Sequence, residues 1–338
     1  MASNGSFRIA IVGSGGISGA HSGAIRASGG KLTLAAAVDT NLDAAERLAT
    51  EHGAKAFDSV GSLLKAIKSK EVVVDGVVVA TPPSVRIEIV QACLKAGLPV
   101  LSEKPLAHTL ADAKKLAAIS KKYKKTPSYV AYCHRFTPAV LAMKAMINAG
   151  KIGTLVRFEN AFACDLPGHK DKWFSDPKKA GGGAYLDMGS HSVDLFHAVV
   201  GPSVTVGAVF GRKWKGRTET SATVLLKGGK PAKGTKNIPQ GVAGVILSGW
   251  GESSRFTVSV VGDQGSLSYD YEQPDHIVFK DLSGKAEKLP VEGHGVRFQR
   301  QLEAFAAAVQ KKAKTGLSTF EDGLVAAQAF DRALKLAK

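Results

Sequence analysis

The stretch FRIAIVGSGGISGAH, residues 7–21, decides the fold class of this chain. Phe7–Val12 is nearly all apolar, which is typical of a parallel strand buried on both faces. Gly13–Gly16 interrupts the strand, and Ile17–Ser28 can form a helix. A glycine turn between a buried strand and a helix lets backbone N–H groups approach a phosphate at the helix N-terminus. The stretch therefore predicts the first unit of a doubly wound α/β sheet that binds a dinucleotide.

An acidic residue at the end of the next strand supports this prediction. Leu32–Val38 is again apolar, and Asp39 follows it, where a carboxylate can accept hydrogen bonds from an adenosine ribose. The alternative is an ordinary turn with Asp39 as a helix cap. Because Asp39 repels a 2′-phosphate and no arginine adjoins it, we expect NAD to be preferred, with NADP as the other possibility. The predicted cofactor contacts in this region are Gly13, Gly15, Gly16, Ile17 and Asp39.

Strands and helices continue to alternate up to Pro127. The predicted helices are Leu42–Glu51, Val85–Ala96 and Leu110–Tyr123, and the predicted strands are Gly76–Ala80 and Pro99–Ser102. Alternation of this kind indicates right-handed parallel βαβ units. We therefore predict an N-terminal Rossmann domain over residues 1–127.

The pattern changes after Pro127, where longer alternating segments predict a large, mostly antiparallel open sheet. These segments are Thr154–Cys164, Val204–Phe210, Thr220–Lys227, Val242–Trp250 and Phe256–Val261, and Lys227–Gly241 is predicted to be an exposed hairpin loop. The predicted helices are Pro138–Ala149, Val296–Lys314 and Phe320–Ala337. The second domain is thus an α/β domain over residues 128–338. We expect its last helix, near residues 320–337, to pack back on the first domain.

The composition excludes several classes of protein. Hydrophobic residues make up 44% and charged residues 22%, which is typical of a globular chain, and no run approaches the length of a membrane span. The net charge of +16 is spread over both halves of the chain, so we expect no nucleic-acid partner and no membrane partner. Three cysteines without metal-ligand spacing and the lack of a signal-peptide pattern predict the cytoplasm.

Three later motifs carry candidate chemistry. The first, Glu103-Lys104-Pro105, follows a predicted parallel strand, whose carboxyl end lines the ligand crevice in such sheets. The second is YCHRFTP at residues 132–138, and the third is GGGAYLDMGSHSVDLFH at residues 181–197. On a helix, Asp187, His191 and Asp194 share one face. Gly189 is costly inside a helix, which indicates a close approach by a ligand or another backbone.

These motifs, taken in order, resemble the Gfo/Idh/MocA family of oxidoreductases. The resemblance covers nearly the whole chain, although Ser18 and Arg86 depart from the family's pattern. It implies a Rossmann domain followed by an α/β domain whose open sheet mediates oligomerisation, and we expect a homodimer or homotetramer through that sheet. It also implies further cofactor contacts at Thr81, Pro82, Glu103, Lys104 and Arg135. The residues that carry the resemblance are the glycine turn, Asp39, Thr81, Pro82, Glu103, Lys104, Pro105, Arg135, Phe136, Asp187 and His191.

The resemblance implies hydride transfer between a nicotinamide and a secondary alcohol or ketone of a sugar, inositol or related polyol. The residue types support this independently, because an imidazole titrates near pH 6.5 and His191 can shuttle the hydroxyl proton. Lys104 can stabilise the developing alkoxide, and Asp187 can orient its partners and offset their charge. Arg135 and Trp173 are predicted to contact the cofactor or the substrate, with a structural role as the alternative for each. A histidine satisfied by a carboxylate on its own helix is the alternative for His191.

Other functions remain open at this stage. An NAD-dependent glycosidase, which returns the hydride, and a non-catalytic dinucleotide-sensing regulator occur on related scaffolds. The presence of both Lys104 and His191 disfavours the regulator. A metal site made of Asp187, His191, Asp194 and His197 is disfavoured because His197 lies off the polar face, so we expect no metal.

Overall fold

The structure is a computed structural model that describes residues 5–166, 168, 172–211, 218–231, 235–311 and 315–337. The chain divides into two compact units. The first unit consists of Met1–Cys133 and Phe298–Leu324, and the second of His134–Arg297 and Val325–Lys338. Each unit therefore contains a long N-terminal piece of chain and a shorter C-terminal one.

The strands and helices are numbered in chain order. The strands are β1 Phe7–Val12, β2 Leu32–Val38, β3 Lys55–Phe57, β4 Gly76–Val79, β5 Val100–Glu103, β6 Ser128–Ala131, β7 Leu155–Cys164, β8 Ser203–Phe210, β9 Ser221–Gly228, β10 Ala243–Trp250, β11 Arg255–Gly262, β12 Gly265–Asp270, β13 His276–Asp281, β14 Ala286–Pro290 and β15 Ser318–Thr319. The helices are α1 Gly16–Ala27, α2 Leu42–Thr50, α3 Val60–Lys68, α4 Arg86–Lys95, α5 Leu110–Lys122, α6 Pro138–Asn148, α7 Pro177–Ala180, α8 Ser190–Val199, α9 Arg297–Val309 and α10 Phe320–Leu336.

The first unit is built on a seven-stranded sheet in the order β15-β6-β5-β4-β1-β2-β3. All neighbouring strands run parallel except β15, which pairs antiparallel with β6. Every residue of β4 is buried, as expected for a central strand covered on both faces. The doubly wound parallel sheet predicted from the sequence is confirmed.

A cluster of aromatic residues fastens the C-terminal piece of the first unit to its sheet. Phe305 of α9 is fully buried and meets the rings of Phe7 and Tyr129 edge-on, at centroid distances of 5.9 and 6.3 Å. A Cβ atom on Gly76 would lie 2.8 Å from the Phe305 ring, so the glycine makes room for it. The first unit thus takes part of its core from a segment nearly 300 residues along the chain.

The second unit is built on an eight-stranded sheet in the order β14-β13-β12-β11-β7-β10-β9-β8. Among the strand pairs in the described part of this sheet, only β7 and β10 are parallel. In β9 the buried residues Ala222, Val224 and Leu226 alternate with exposed ones, which is the pattern of a sheet with one covered face. The mostly antiparallel sheet is confirmed, and β9 and β10 form the predicted hairpin, of which residues 232–234 lie outside the described residues.

The sequence missed several elements. The strands β3, β6 and β15, the helices α3 and α7 and the three consecutive edge strands β12–β14 were not predicted, and the strand expected to end at Ser102 extends to Glu103. The edge strand β14 is exposed at nearly every position, so its sequence lacks the apolar alternation on which a strand prediction depends. No helix in the described part of the chain is both long and apolar enough to span a bilayer.

Candidate active site

The glycine turn of the first unit combines one closed position with two open ones. Gly13 has a φ of +99°, and a Cβ atom there would lie 2.8 Å from the carbonyl carbon of Ala80, so only glycine fits. Gly15 and Gly16 are exposed, and a Cβ atom on either would have no neighbour within 4 Å. The turn is therefore tight on its inner side and open on its outer side.

Helix α1 begins on the open side of this turn. Its N-cap residue Gly15 provides no side-chain hydrogen bond, and its first turn contains no acidic residue. By contrast, the side chain of Asn41 caps α2 by accepting the N–H of Ala44. The positive end of the α1 dipole is thus left to an external anion, as at known phosphate sites.

Asp39 lies beside the glycine turn. Its carboxylate accepts the backbone N–H of Ser14 at 2.7 Å and that of Asn41 at 2.9 Å. Because the N-cap of α2 is Asn41, the alternative in which Asp39 serves as the helix cap is wrong.

Two buried hydroxyl groups indicate that a polar ligand belongs here. Ser14 Oγ, in the glycine turn, and Thr81 Oγ1, just after β4, have no hydrogen-bond partner among the described residues. Buried hydroxyls are ordinarily hydrogen-bonded, so such groups call for a partner. With the open turn, the uncapped helix and the Asp39 carboxylate, they fit a nicotinamide dinucleotide.

Glu103 is held in place at the end of β5. It is buried, and its carboxylate lies 2.7 Å from Nε2 of His21 and accepts the backbone N–H of Lys104 at 3.0 Å. Burial alone would raise the pKa of Glu103, but the hydrogen bond and charge of His21 and the charges of Lys104 and Arg86 hold the pKa below its usual value. The contact with His21, which the sequence did not predict, ties α1 to the Lys104 segment. Lys104 itself is half-buried.

In the second unit, the backbone around Asp187 departs from a regular helix. Tyr185–Gly189 forms a π-helical turn that continues into α8. The polar face predicted for Asp187, His191 and Asp194 therefore begins on a turn that is wider than that of a regular α-helix. A close approach does occur at Gly189, but the neighbour is a side chain rather than the ligand or backbone expected from the sequence, because a Cβ atom there would lie 2.2 Å from the Tyr185 ring.

Glu219, which the sequence did not single out, anchors the start of this turn. Both oxygens of its carboxylate lie 2.9 Å from the backbone nitrogen of Gly183, and one also accepts the N–H of Tyr185 at 3.2 Å. A Cβ atom on Gly183 would lie 1.9 Å from the Glu219 carbonyl oxygen, which explains the glycine. A carboxylate at this end of a helix also stabilises the helix dipole.

The three polar residues of the predicted stripe have different partners. Asp187 accepts a hydrogen bond from the Trp250 indole at 3.2 Å, and Asp194 accepts one from Nε of Arg135 at 2.7 Å. The ring of His191 lies 4.6 Å from that of His134, nearly perpendicular to it.

His134 belongs to the YCHRFTP motif, but the sequence gave it no role. Its Nδ1 lies 2.9 Å from the hydroxyl of Tyr271, and its ring also packs on Phe162. The motif drew attention to this position, whereas nothing in the sequence linked it to a tyrosine more than 130 residues away. His191 thus lies against a buried, hydrogen-bonded histidine.

Trp173 is the last predicted site residue. It is half-buried and stacks on Phe174 at a centroid distance of 3.9 Å, and Phe174 in turn meets the edge of Trp250. This row of rings therefore leads to the Asp187 carboxylate. Of the surrounding loop, residues 167 and 169–171 lie outside the described residues.

Comparison with known proteins agrees with this arrangement. Residues 7–132 match an oxidoreductase family with an NAD-binding Rossmann fold, and residues 140–268 match the GFO/IDH/MocA C-terminal domain. Together, the two matches account for most of both units.

Individual relatives include the rhizopine catabolism protein MocA of Rhizobium meliloti, 30% identical over 59% of this chain and 59% of that protein. A levoglucosan dehydrogenase of Pseudarthrobacter phenanthrenivorans is 28% identical over 62% of this chain and 59% of its own length. The chain thus spans about three fifths of the length of these curated relatives. The crystal structure of an inositol dehydrogenase homologue from Azotobacter vinelandii, complexed with NAD⁺, superposes with a TM-score of 0.84 over 99% of this chain and 96% of that one. At 20% identity, this last similarity shows the fold alone.

The open side of the glycine turn leads to a first prediction. Gly15 has an extended backbone and free space around its Cβ position, so Gly15→Val is compatible with the fold. Its branched side chain would occupy the space that a pyrophosphate needs at α1. We expect calorimetry to show loss of NAD and NADP binding, with little change in melting temperature.

Gly23→Ala is the matched control, because Gly23 is exposed on the same helix and equally open. It should leave dinucleotide binding unchanged. Unaltered NAD and NADP affinity in Gly15→Val would show that the turn does not hold the cofactor.

Proposed function

Since the chain belongs to the GFO/IDH/MocA family of oxidoreductases, we propose that it is an NAD(P)-dependent dehydrogenase or reductase acting on a CH–OH group. The substrate is a secondary alcohol or the corresponding ketone of a sugar, inositol or related polyol. One observation carries the proposal: in the first unit, the open glycine turn and the Lys104 segment are joined through the hydrogen bond between His21 and Glu103. A binding turn and a candidate catalytic lysine are thereby part of one rigid arrangement.

The names of the relatives support this substrate class. They include a levoglucosan dehydrogenase, a D-glucoside 3-dehydrogenase and an inositol 2-dehydrogenase. All three names describe oxidation of a ring that carries several hydroxyl groups.

The cofactor is proposed to be NAD in preference to NADP. In this proposal the pyrophosphate lies at the N-terminus of α1, against Gly13, Gly15, Gly16 and Ile17. Asp39, whose carboxylate is oriented by two backbone N–H groups, binds the ribose and repels a 2′-phosphate. The remaining proposed contacts are Thr81, Pro82, Glu103, Lys104 and Arg135.

The bound nicotinamide supplies the hydride acceptor in oxidation and the hydride donor in reduction. We assign the proton transfer to His191, which accepts the hydroxyl proton in oxidation and returns it in reduction. Lys104 donates a hydrogen bond to the same oxygen and stabilises its developing negative charge. Asp187, Arg135 and Trp173 are assigned to orienting the substrate. The bonds from Trp250 to Asp187 and between Arg135 and Asp194 support that assignment, because each restrains a side chain in a fixed direction.

A homodimer or homotetramer is proposed to form through the second unit's sheet. The outer face of its β8 edge exposes Val204, Val209 and Leu225, of which Val209 is 68% exposed. Val209 faces Thr223 across the strand pair and Leu225 faces Val245, while Lys227, opposite Val204, adds one positive charge at the end of this apolar surface. A second copy of the chain would cover this surface and stabilise it by apolar burial.

The oligomer proposal predicts a change in mass. Val209→Lys combined with Leu225→Lys should reduce the mass measured by light scattering to that of a smaller species, because a charge would be buried at the interface. Leu282→Lys is the control, because Leu282 is exposed in the turn between β13 and β14, at the opposite edge of the sheet from β8, and it should leave the mass unchanged. An unaltered mass in the double variant would place the interface elsewhere.

The position of Asp39 predicts how the cofactor preference can be changed. Asp39→Ser with Thr40→Arg removes the repulsion and adds a guanidinium at an exposed position. We expect the ratio of kcat/KM for NADP to that for NAD to rise at least about tenfold, since charged hydrogen bonds contribute roughly 1.5–3 kcal/mol. A ratio equal to that of the wild type would mean that the adenosine end does not lie at Asp39.

The function itself is tested with a panel of aldoses, inositols, keto-sugars and uronates and both cofactors, by absorbance at 340 nm. Net reduction or oxidation of the cofactor identifies a dehydrogenase, whereas a redox-neutral glycosidase or a regulator gives no net change. With the substrate found, Lys104→Ala and His191→Ala should each lower kcat by about 10²–10⁴-fold with a smaller effect on cofactor binding.

Two further readouts test the assigned roles. The double variant should lose much less than the product of the two single losses, because residues that act on one oxygen act as a unit. Asp187→Asn should have a smaller effect, and the low-pH limb of the kcat/KM profile for oxidation, which reports the base, should vanish in His191→Ala. Near wild-type turnover in His191→Ala, with chemistry rate-limiting, would leave the histidine a structural role.

A further inference from the structure

Arg86, the first residue of α4, is buried, with only 2% of its surface exposed. Its guanidinium bonds to backbone carbonyls rather than to a carboxylate. Nε and Nη2 donate to the carbonyl of Thr81 at 3.0 and 2.7 Å, and Nη2 also lies 3.4 Å from that of Lys104. Nη1 donates to the carbonyls of Glu103 and Pro105. We call this set of bonds the Arg86 clamp.

The clamp joins two segments that follow neighbouring parallel strands. Thr81 comes after β4, and Glu103–Pro105 closes β5, where the pairing between the two strands ends at Val79 and Ser102. Beyond that point Thr81, Lys104 and Pro105 lie outside the strands, and Glu103 pairs only with β6, so their carbonyls need partners other than the β4–β5 ladder. A guanidinium offers five N–H donors in a fixed plane, whereas a lysine ammonium offers three from one point. The geometry therefore matches arginine in particular.

The charge of Arg86 is balanced within the first unit. Burial lowers the pKa of Arg86 to about 10, while the neighbouring Glu103 carboxylate acts in the opposite direction, so the guanidinium stays protonated at neutral pH. Glu103 in turn bonds to His21 on α1. The glycine-turn helix, the Thr81 turn and the Lys104 segment are thus connected through buried polar groups.

We propose that Arg86 is a positioning residue, which fixes the Lys104 backbone relative to the Thr81 turn by holding the carbonyls of both segments. The inference rests on the proposed function, in which Lys104 acts on the substrate oxygen and Thr81 contacts the cofactor. If Arg86 only stabilised the fold, any substitution that lowers the melting temperature equally would lower NAD binding and kcat by the same amount. A positioning residue acts through Lys104, and the two cases can be separated.

Arg86→Met and Arg86→Lys are the test variants, and Val90→Ala is the matched control. Val90 is fully buried on the same helix, so its truncation loses packing without removing a bond to either segment. We expect hydrogen exchange to increase in peptides covering residues 80–85 and 103–107 in Arg86→Met, and less in Arg86→Lys. In Val90→Ala these peptides should exchange as in the wild type.

Kinetics provide the second readout. Arg86→Met should lower kcat about tenfold, within the range of coupling between contacting residues, and should weaken NAD binding measured by calorimetry. In a Lys104→Ala background the same substitution should have little further effect on kcat, because the group that it positions is gone. If the two losses multiply instead, or if Val90→Ala at equal melting temperature produces the same loss, Arg86 has only a structural role and the proposal is overturned.

The design separates this inference from the proposed function. If the wild-type protein turns over no substrate in the panel, exchange and NAD binding still report on the clamp. If Arg86→Met does not fold, Arg86→Lys, which keeps the charge, takes its place. Unchanged hydrogen exchange in both segments of Arg86→Lys would overturn the proposal. Increased exchange with weakened NAD binding would support positioning even though the reaction class would then need revision.

Discussion

The arrangement of the first unit depends on the hydrogen bonds and charges that surround the buried Glu103 carboxylate. Removing such a charge from water costs roughly several kcal/mol, so it is tolerated only with partners in good geometry. Here the partners come from His21 on α1, the Lys104 N–H and the nearby Arg86 charge. Each partner belongs to a different segment of the first unit. Satisfying one charge therefore fixes the helix after the glycine turn, the end of β5 and the start of α4 together.

The second unit uses the same principle with other residues. Glu219 binds the N–H groups of Gly183 and Tyr185, Asp194 binds Arg135, and Asp187 binds the Trp250 indole. Each carboxylate is held by donors from the elements around α8. Because a buried acidic group that loses its donor is destabilised strongly, the backbone around His191 has little freedom to rearrange. Rigid placement of this kind is consistent with the proton transfer that we propose for His191.

The sequence predicted the strands that are formed by long apolar runs, and most of the elements that it missed are short or polar. The strands β1 and β2 were predicted to the residue, since apolar runs of that length have few other interpretations. The polar edge strand β14 has no such run. The π-helical turn at Tyr185–Gly189 was also missed, because a one-residue widening leaves the helical spacing of apolar residues almost unchanged.

The partners of the site residues were harder to predict than the residues themselves. Lys104 and His191 stand in short motifs, whereas Tyr271, Trp250 and Glu219 are distant in sequence from the groups that they bind. Arg86 is a further example. In the sequence it was only a departure from the family's pattern, whereas in the structure its guanidinium donates hydrogen bonds to the carbonyls of two backbone segments.

The two kinds of glycine in the turn distinguish what the fold requires from what a ligand requires. Gly13 is required by the fold, because a side chain there would collide with the backbone at Ala80. Gly15 has an extended backbone and empty space around it, so the fold would accept a larger residue at that position. Glycine there leaves the helix without a side-chain cap. In the proposed function, the pyrophosphate explains why this residue is small, and the buried hydroxyls of Ser14 and Thr81, which lack partners among the described residues, fit a polar ligand beside the turn. In the proposed function, the fold of the first unit accounts for Gly13 and the bound dinucleotide accounts for Gly15.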